Sequence, residues 1–511
     1  MSTEQRSLVV FAPLRVEAAA VRRGLRGGGA LVIRTGMGPD RARAAAKSPE
    51  HAEARALAVA GVCGAISPDL RPGDIVVATE VRTPDGLAIR CSSGPLAAAL
   101  KALGFEPHLG PILSWPRIGD RDEREAMAAT GAIAVDMESA WLAEAAAGRP
   151  FAVLRVVVDT VERDLGHVLA TVTGGIRALR ILRRAVPAIP RWAAGTSAEP
   201  RWVLLAGPRS FCAGVERAIE IVERALALYG PPVFVRKEIV HNLHVVRDLE
   251  RRGAVFVNEV EEVPEGATVV FSAHGVAPRV RADAERRHLQ VIDATCPLVT
   301  KVHAEARRFA RAGYAIVLVG HEGHEEVEGT TGEAPGAIRL LSQADEVDAL
   351  DLNGHRRVAY LTQTTLAVDE ADQVVAKLRE RYPDLAGPGS DDICYATSNR
   401  QDAVKALAGE CDVLLVIGST NSSNSRRLVE VAAREGCPAF LLDDETEIDP
   451  SWLAGTRTVG VTAGASAPEV LVDRVVEALA GLGPIEVQER HVVAESLQFT
   501  LPIELRTGGD R

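Results

Sequence analysis

The chain has 511 residues, 47% of them hydrophobic and 25% charged, the balance of an ordinary globular protein long enough for more than one domain. Its formal net charge of −11 excludes bulk attraction to nucleic acid or to an anionic membrane, while leaving room for a local small-anion site. No run approaches the roughly 20 apolar residues of a membrane span, no secretory signal is legible, and seven cysteines without framework spacing fit a reducing cytoplasm.

Strand-like runs alternate with helical patterns throughout, which predicts α/β architecture with largely parallel sheets. LVVFAPLRVEAAAV reads as a strand running into a helix that carries Glu17. RTGMGPDRARAAA sets Gly36, Met37 and Gly38 in a tight loop before a second helix. AVAGVCGAISPDLRPGDIVVATEV reads as strand, glycine loop and strand. DMESAWLAEAA starts a helix beside Met137 and Glu138, and FAVLRVVVDT is a strand with Asp159 near its end. Glycine loops before helices are weak signals alone, more often plain turns than anion sites.

A basic helical stretch, IRALRILRRAV, is followed by PAIPRWAAGTSAEPR, whose Pro, Ala, Gly and Ser predict a linker. The expected division is a first domain at 1–188, a linker at 189–201, a second domain at 202–490 and a tail at 491–511.

In the second domain VLLA, VID and DVLLVIG each run into a polar or glycine loop and then a helix. VVFSAHG, IVLVGHEGH and VAYLTQTT follow the same course as far as the loop. This recurrence predicts several similar lobes about one centre, with ligands gathered at the carboxyl ends of strands.

Cys212, Cys296 and Cys394 share one setting, a loop followed by a helix-like stretch, and Pro297 suits the first turn of such a helix. A helix N-terminus stabilises thiolate. Three converging thiolates are one short of the usual cubane set, and a cluster held by three leaves an iron open to substrate. The competing reading is that of buried apolar thiols, which suits Cys63, Cys91, Cys411 and Cys437. Zinc is disfavoured by the lack of a C-x-x-C pair.

Histidine occurs in KEIVHN (His241), SAHGV (His274) and GHEGHEEVEG (His321 and His324). Hydroxyl and amide groups crowd TQTT, STNSSNS and GASAPE. Donors at helix starts make phosphate cradles, although the same residue types favour plain turns and N-caps. Glu325, Glu326 and Glu328 beside His324 offer a proton donor, at least two of them being expected in a solvated acidic turn.

In order, GPRSFCAGVERAI, VRKEIVHN, FSAHGV, DATCPLVTKVH, GHEGHEEVEGTTG, LTQTTLAVD, DDICYATSNRQ, NSSNSRRL and GVTAGASAPE make the region from about 203 to 485 resemble the 4-hydroxy-3-methylbut-2-enyl diphosphate reductases. The resemblance implies three similar α/β lobes around one 4Fe–4S cluster per chain, held by Cys212, Cys296 and Cys394. It places His241, His274, His324, Thr364, Ser422, Ser423, Asn424 and Ser466 around the substrate, mostly its diphosphate. It makes Glu326 the proton donor. The implied reaction of the methylerythritol phosphate route removes an allylic hydroxyl with two electrons and protons, giving isopentenyl and dimethylallyl diphosphates. No flavin or nicotinamide fingerprint is present, so a separate ferredoxin or flavodoxin is the expected electron donor.

The ordered set in 8–185 resembles the nucleoside phosphorylase and nucleosidase superfamily, notably its hopanoid-associated phosphorylase-like branch. That resemblance implies ribose contacts from Met137 and Glu138, protonation of a departing base by Asp159, activation of water by Glu17, and a ribose or phosphate wall from Gly36, Met37 and Gly38. The stretch 83–130 departs from it, offering no base-stacking loop and no second phosphate-binding arginine. The first domain is thus expected to cleave nucleosides or to serve as a docking module. The alternative makes its chemistry the main activity of the chain.

Overall fold

The computed structural model describes residues 7–25, 29–117, 121–160, 168–352, 354 and 357–506. The chain forms two compact units. One lies within Met1–Val203 plus Asp444–Val459 and Asp473–Val487; the other lies within Leu204–Asp443 plus Gly460–Val472 and Gln488–Arg511. This differs from the single expected cut. The reason is local packing in the first unit, where helix Ser93–Lys101 lies against the turn Glu445–Glu447 and helix Ala188–Ala194 against Pro450–Leu453.

The stretch 189–201 is likewise not a loose linker. Ala188–Ala194 is helical, Ile189 and Trp192 are fully buried, and Trp192 Nε1 donates to Ser92 Oγ at 2.8 Å. Its linker-like composition hides an apolar face at Ile189, Trp192 and Ala193, the spacing of one side of a helix.

The first unit is built on an eight-stranded sheet. Strand Ala56–Ala65 pairs in parallel with Leu8–Ala12 and with Phe151–Asp159. The pairings then run through Ile75–Arg82, His108–Ser114 and Ala134–Asp136 back to Ala56–Ala65, closing a ring of strands. Strand Phe151–Asp159 is buried almost throughout, as a strand covered on both faces must be.

The second unit contains the expected lobes. One sheet has the parallel order Ala254–Val257, Val233–Arg236, Thr268–Phe271, Gln290–Asp293. Another has Ile338–Leu341, Ala315–Val319, Val358–Thr362, also parallel. A third includes Val413–Ile417 paired in parallel with Ala439–Leu442. AIVLV and VLLVI are buried at every position, the apolar signature of a parallel core strand. The expected tail is partly packed, with Leu501 and Leu505 buried among Val215, Ala218 and Val222 of helix Ala213–Tyr229. Among the described residues, no helix is long and apolar enough to cross a membrane.

Candidate active site

Each of the three singled-out cysteines is the N-cap of a helix: Cys212 of Ala213–Tyr229, Cys296 of Pro297–Arg311 and Cys394 of Tyr395–Ala408. The lobes bring them together. A Cβ at Gly214 would stand 2.8 Å from Cys296 Sγ and 3.8 Å from Cys212 Sγ, so only glycine fits where these two sulfurs meet the helix. Cys296 feels the charges of both Cys212 and Cys394, and Cys394 that of Cys212. Burial pushes all three thiols up, Cys296 to about 12 and Cys394 to about 11, while helix N–H groups pull the other way. Cys394 Sγ also lies 3.1 Å from Thr397 Oγ1 and accepts from Thr397 N at 3.3 Å. Three half-buried thiols at converging helix starts fit a cation-rich cluster, whose binding expels their protons. Among the described residues, no group of three His, Cys, Asp or Glu side chains closes around a single ion.

The substrate-side loops are tied to the cysteines by the backbone. Cys296 N donates to the carbonyl of Ala273 beside His274, Cys394 N to that of Thr364, and Cys212 N to that of Ala465 beside Ser466. His241 and His274 stack with ring centres 4.0 Å apart, and His324 meets them edge-on at 5.7 and 6.0 Å. His241 Nδ1 lies 3.0 Å from Glu238, and His274 Nδ1 3.2 Å from Glu325. His324 caps helix Glu325–Glu333, its Nδ1 accepting from Glu326 N at 3.2 Å, so a proton on the neutral ring sits at Nε2. Burial and the neighbouring imidazoles push His324 down to about 3. Burial also lowers His274, opposed by Glu325.

Glu326 is 2% exposed. Its Oε1 accepts from Thr364 N at 2.7 Å and its Oε2 from Thr364 Oγ1 at 2.9 Å. Burial lifts its pKa to about 7 against those two hydrogen bonds, and the charge of Asp392 adds to the rise. Its own charge bears on Cys394, which places it toward the thiols.

Ser422 caps helix Ser423–Arg434 and lies 3.4 Å from Ser466 Oγ, which donates to the carbonyl of His241 at 3.0 Å. Ser423 Oγ lies 3.4 Å from Gln363 Nε2. The buried amide of Asn424 has neither its oxygen nor its nitrogen partnered within the protein, an arrangement that suits a bound polar group. A cavity of about 470 Å3 opens beside His241 and His324, lined also by Lys237, Glu238, Glu325 and Arg426.

The first unit holds its own charged centre. Glu17 is buried, its carboxylate accepting from Val62 N at 2.8 Å and Leu14 N at 2.6 Å. Fully buried Arg155 lies 2.6 Å from Asp136 and 3.5 Å from Glu138. A Cβ at Gly61 would fall 2.5 Å from Arg155 Nη1 and 2.7 Å from Glu17 Oε1, so glycine is required where these side chains cross the strand. Glu138 accepts from Gly38 N at 3.1 Å, and burial lifts its pKa to about 7 despite Arg155. Asp159 is buried on the strand that carries Arg155; Met137 is half-buried and Met37 is exposed between Gly36 and Gly38.

The LytB protein family matches residues 203–480, more than half of the chain. The chain belongs to the LytB protein family. A 4-hydroxy-3-methylbut-2-enyl diphosphate reductase of Rhodococcus opacus is 59% identical over 305 residues, 60% of this chain and 91% of the relative. One of Mycolicibacterium paratuberculosis is 61% identical over 306 residues, 60% of this chain and 92% of the relative. The solved reductase of Plasmodium falciparum is 36% identical with a TM-score of 0.58, covering 60% of this chain and 97% of that one. The phosphorylase superfamily matches residues 16–185.

Within the LytB part, His241, His274 and His324 pack together, Thr364 joins Glu326 to Cys394, and Ser466 lies beside Ser422 and the loop of Cys212. Glu325 and Glu328 part company: Glu328 is exposed, whereas Glu325 is half-buried against His274. Sequence reasoning missed Glu238, Asn421 and Gln363. Asn421 Nδ2 donates to Glu238 at 2.8 Å, and Gln363 Oε1 accepts from His321 N at 3.1 Å. Their signal was proximity to the named motifs, since each lies within three residues of a predicted ligand.

Proposed function

We propose that the LytB part reduces 4-hydroxy-3-methylbut-2-enyl diphosphate to isopentenyl and dimethylallyl diphosphates on one 4Fe–4S cluster held by Cys212, Cys296 and Cys394. The carrying observation is Glu326, a buried acid with its pKa near neutrality, set beside the converging thiols. When bound, the cluster supplies electrons and an open iron that acts as a Lewis acid toward the substrate hydroxyl. The reaction balances as alcohol plus two electrons and two protons giving alkene product plus water.

The chain's own groups do the rest. With its pKa lifted to about 7, Glu326 keeps a proton available near neutral pH and hands it to the departing hydroxyl. Thr364 fixes both carboxyl oxygens so that the acid keeps one orientation. His324, whose Nδ1 accepts from Glu326 N, offers its Nε2–H to the diphosphate, and His241 and His274, whose Nδ1 atoms lie against Glu238 and Glu325, donate from Nε2 when the bound anion draws a proton onto the ring. Ser422, Ser423, Asn424 and Ser466 complete the cradle at a helix start, where N–H groups favour an anion. A separate ferredoxin or flavodoxin delivers the electrons, and the setting is cytoplasmic.

The test is composition. Anaerobically purified protein should be brown and carry four irons and four sulfides per chain. Cys→Ser at 212, 296 or 394 should lower iron content, and Cys411→Ser should not. Colourless, folded wild-type protein after reconstitution with iron and sulfide would contradict the reading.

We infer that the first unit cleaves the glycosidic bond of a nucleoside. Glu138 and Met137 hold the ribose, Glu17 orients water, and Asp159 protonates the departing base. Three acids converging on Arg155 in a phosphorylase-superfamily fold support this reading. Release of free base from adenosyl compounds by the intact chain is the assay; none at any pH from 5 to 9 would leave a docking role.

A further inference from the structure

The helix that starts at each cysteine sends a cation to the loop leading into another cysteine. Arg217, five residues after Cys212, donates to the carbonyls of Ala294 at 3.3 Å and Thr295 at 3.1 Å, the two residues before Cys296. Lys301, five residues after Cys296, donates to the carbonyls of Ser390 at 2.5 Å and Asp391 at 2.8 Å, and to Asp392 Oδ1 at 3.1 Å, all in the run before Cys394. Arg400, six residues after Cys394, donates to the carbonyls of Arg209 at 3.4 Å, Ser210 at 2.6 Å and Phe211 at 3.3 Å, the three residues before Cys212. The relation closes on itself after three steps.

The C-terminal segment braces two of the three cations. Arg400 Nη1 lies 3.0 and 3.3 Å from the two carboxylate oxygens of Glu495, and Arg217 Nε donates to the carbonyl of Thr500 at 2.9 Å. Asp392 does the same for Lys301.

Carbonyls in a loop that ends at an N-cap lie outside any helix ladder and need donors. A guanidinium or ammonium supplies several at once, each a charge-assisted bond. Each cation here is rooted in a helix whose own start is a different cysteine. A shift of one cysteine loop is therefore passed to the next lobe and, after three steps, returned.

We propose that Arg217, Lys301 and Arg400 are positioning residues forming a cyclic clamp, in which each lobe sets the cysteine loop of the next, so that the three thiols are placed as one unit. The proposal rests on the reading that these thiols hold one iron–sulfur cluster.

The test uses full-length, reduced, metal-free protein and site-resolved alkylation rates with iodoacetamide. Lys301→Met should speed alkylation of Cys394 about tenfold, because its loop loses charge-assisted hydrogen bonds and opens locally. Cys296, on the altered helix itself, should stay within about twofold of wild type on the same logic. Arg217→Met should likewise free Cys296 and spare Cys212. Arg400 is fully buried, so Arg400→Lys is the variant of choice there, freeing Cys212 and sparing Cys394. Cys411 serves as control in each. After reconstitution, the same variants should lose iron to a chelator faster than wild type. Faster alkylation of the cysteine on the substituted helix, of all cysteines together, or of none overturns the clamp. Wild-type protein that takes up no iron would sink the cluster reading instead, while the alkylation pattern would still decide the clamp.

Discussion

Thr364 grips Glu326 twice, through its backbone N–H at 2.7 Å and its hydroxyl at 2.9 Å, while its carbonyl receives the N–H of Cys394 at 3.1 Å. One residue thus joins the buried acid to a cysteine of the thiol centre. Both hydrogen bonds favour the charged carboxylate, yet burial prevails and the acid titrates near 7.

Glu326→Gln should retain substrate binding and the visible spectrum but lose on the order of 100- to 10,000-fold in single-turnover rate, the usual cost of removing a general acid. Glutamine keeps the size and accepts from Thr364, but cannot donate the catalytic proton. Glu328→Gln, at an exposed position, is the control. A wild-type rate in Glu326→Gln would move the proton donor elsewhere.

The pH dependence has a fixed sign. A donor must be protonated, and Glu326 is protonated below about 7. The single-turnover rate should be flat below that pH and fall about tenfold per unit above it. Thr364→Val deletes the hydroxyl bond to the carboxylate and leaves the backbone bond, so the falling limb should move up by roughly one pH unit, the worth of one hydrogen bond to a charged group. A limb that moves down, or stays, contradicts the assignment.

Glu238→Gln and Glu325→Gln should raise KM more than they lower kcat. Each removes the anion that holds an imidazole Nδ1, and the loss of one charge-assisted bond corresponds to roughly 10- to 100-fold in affinity. Because neither carboxylate touches the reacting carbon in this account, kcat should change by less than KM. Steady-state kinetics with a chemical reductant separates the two effects.

Asp159→Asn should abolish base release while leaving diphosphate reduction at the wild-type rate, since the acid lies in the first unit and the thiols in the second. Both assays on one preparation give the answer. Loss of reduction with unchanged thermal stability would mean that the two activities are coupled.

Much of the second unit was legible because parallel strands buried on both faces read as bare apolar runs, and helix starts carry Cys, Asn, His and Ser where a cap is needed. The ligands of the site sit in those same caps, so motif and geometry coincide. Glu238, Asn421 and Gln363 lie inside the named motifs, but their roles were not legible, because a carboxylate or amide that orients a neighbour has no period or spacing of its own. The linker failed for a different reason: Pro, Ala and Gly dominate 187–201, and only Ile189, Trp192 and Ala193, on one helical face, report that it packs. The cation relay through Arg217, Lys301 and Arg400 was invisible for a third reason, since each donor serves a loop about 80 to 190 residues away. The return of 444–459 and 473–487 to the first unit is a contact between distant segments that no local pattern encodes.

The most direct measurement is single-turnover conversion of 4-hydroxy-3-methylbut-2-enyl diphosphate by anaerobically reconstituted, chemically reduced protein, with products resolved by mass and chromatography. Isopentenyl and dimethylallyl diphosphates, formed together in an amount set by the cluster content and abolished by Cys→Ser at 212, 296 or 394, are the predicted result. Unchanged substrate in the presence of protein that carries its full iron and sulfide would contradict the account.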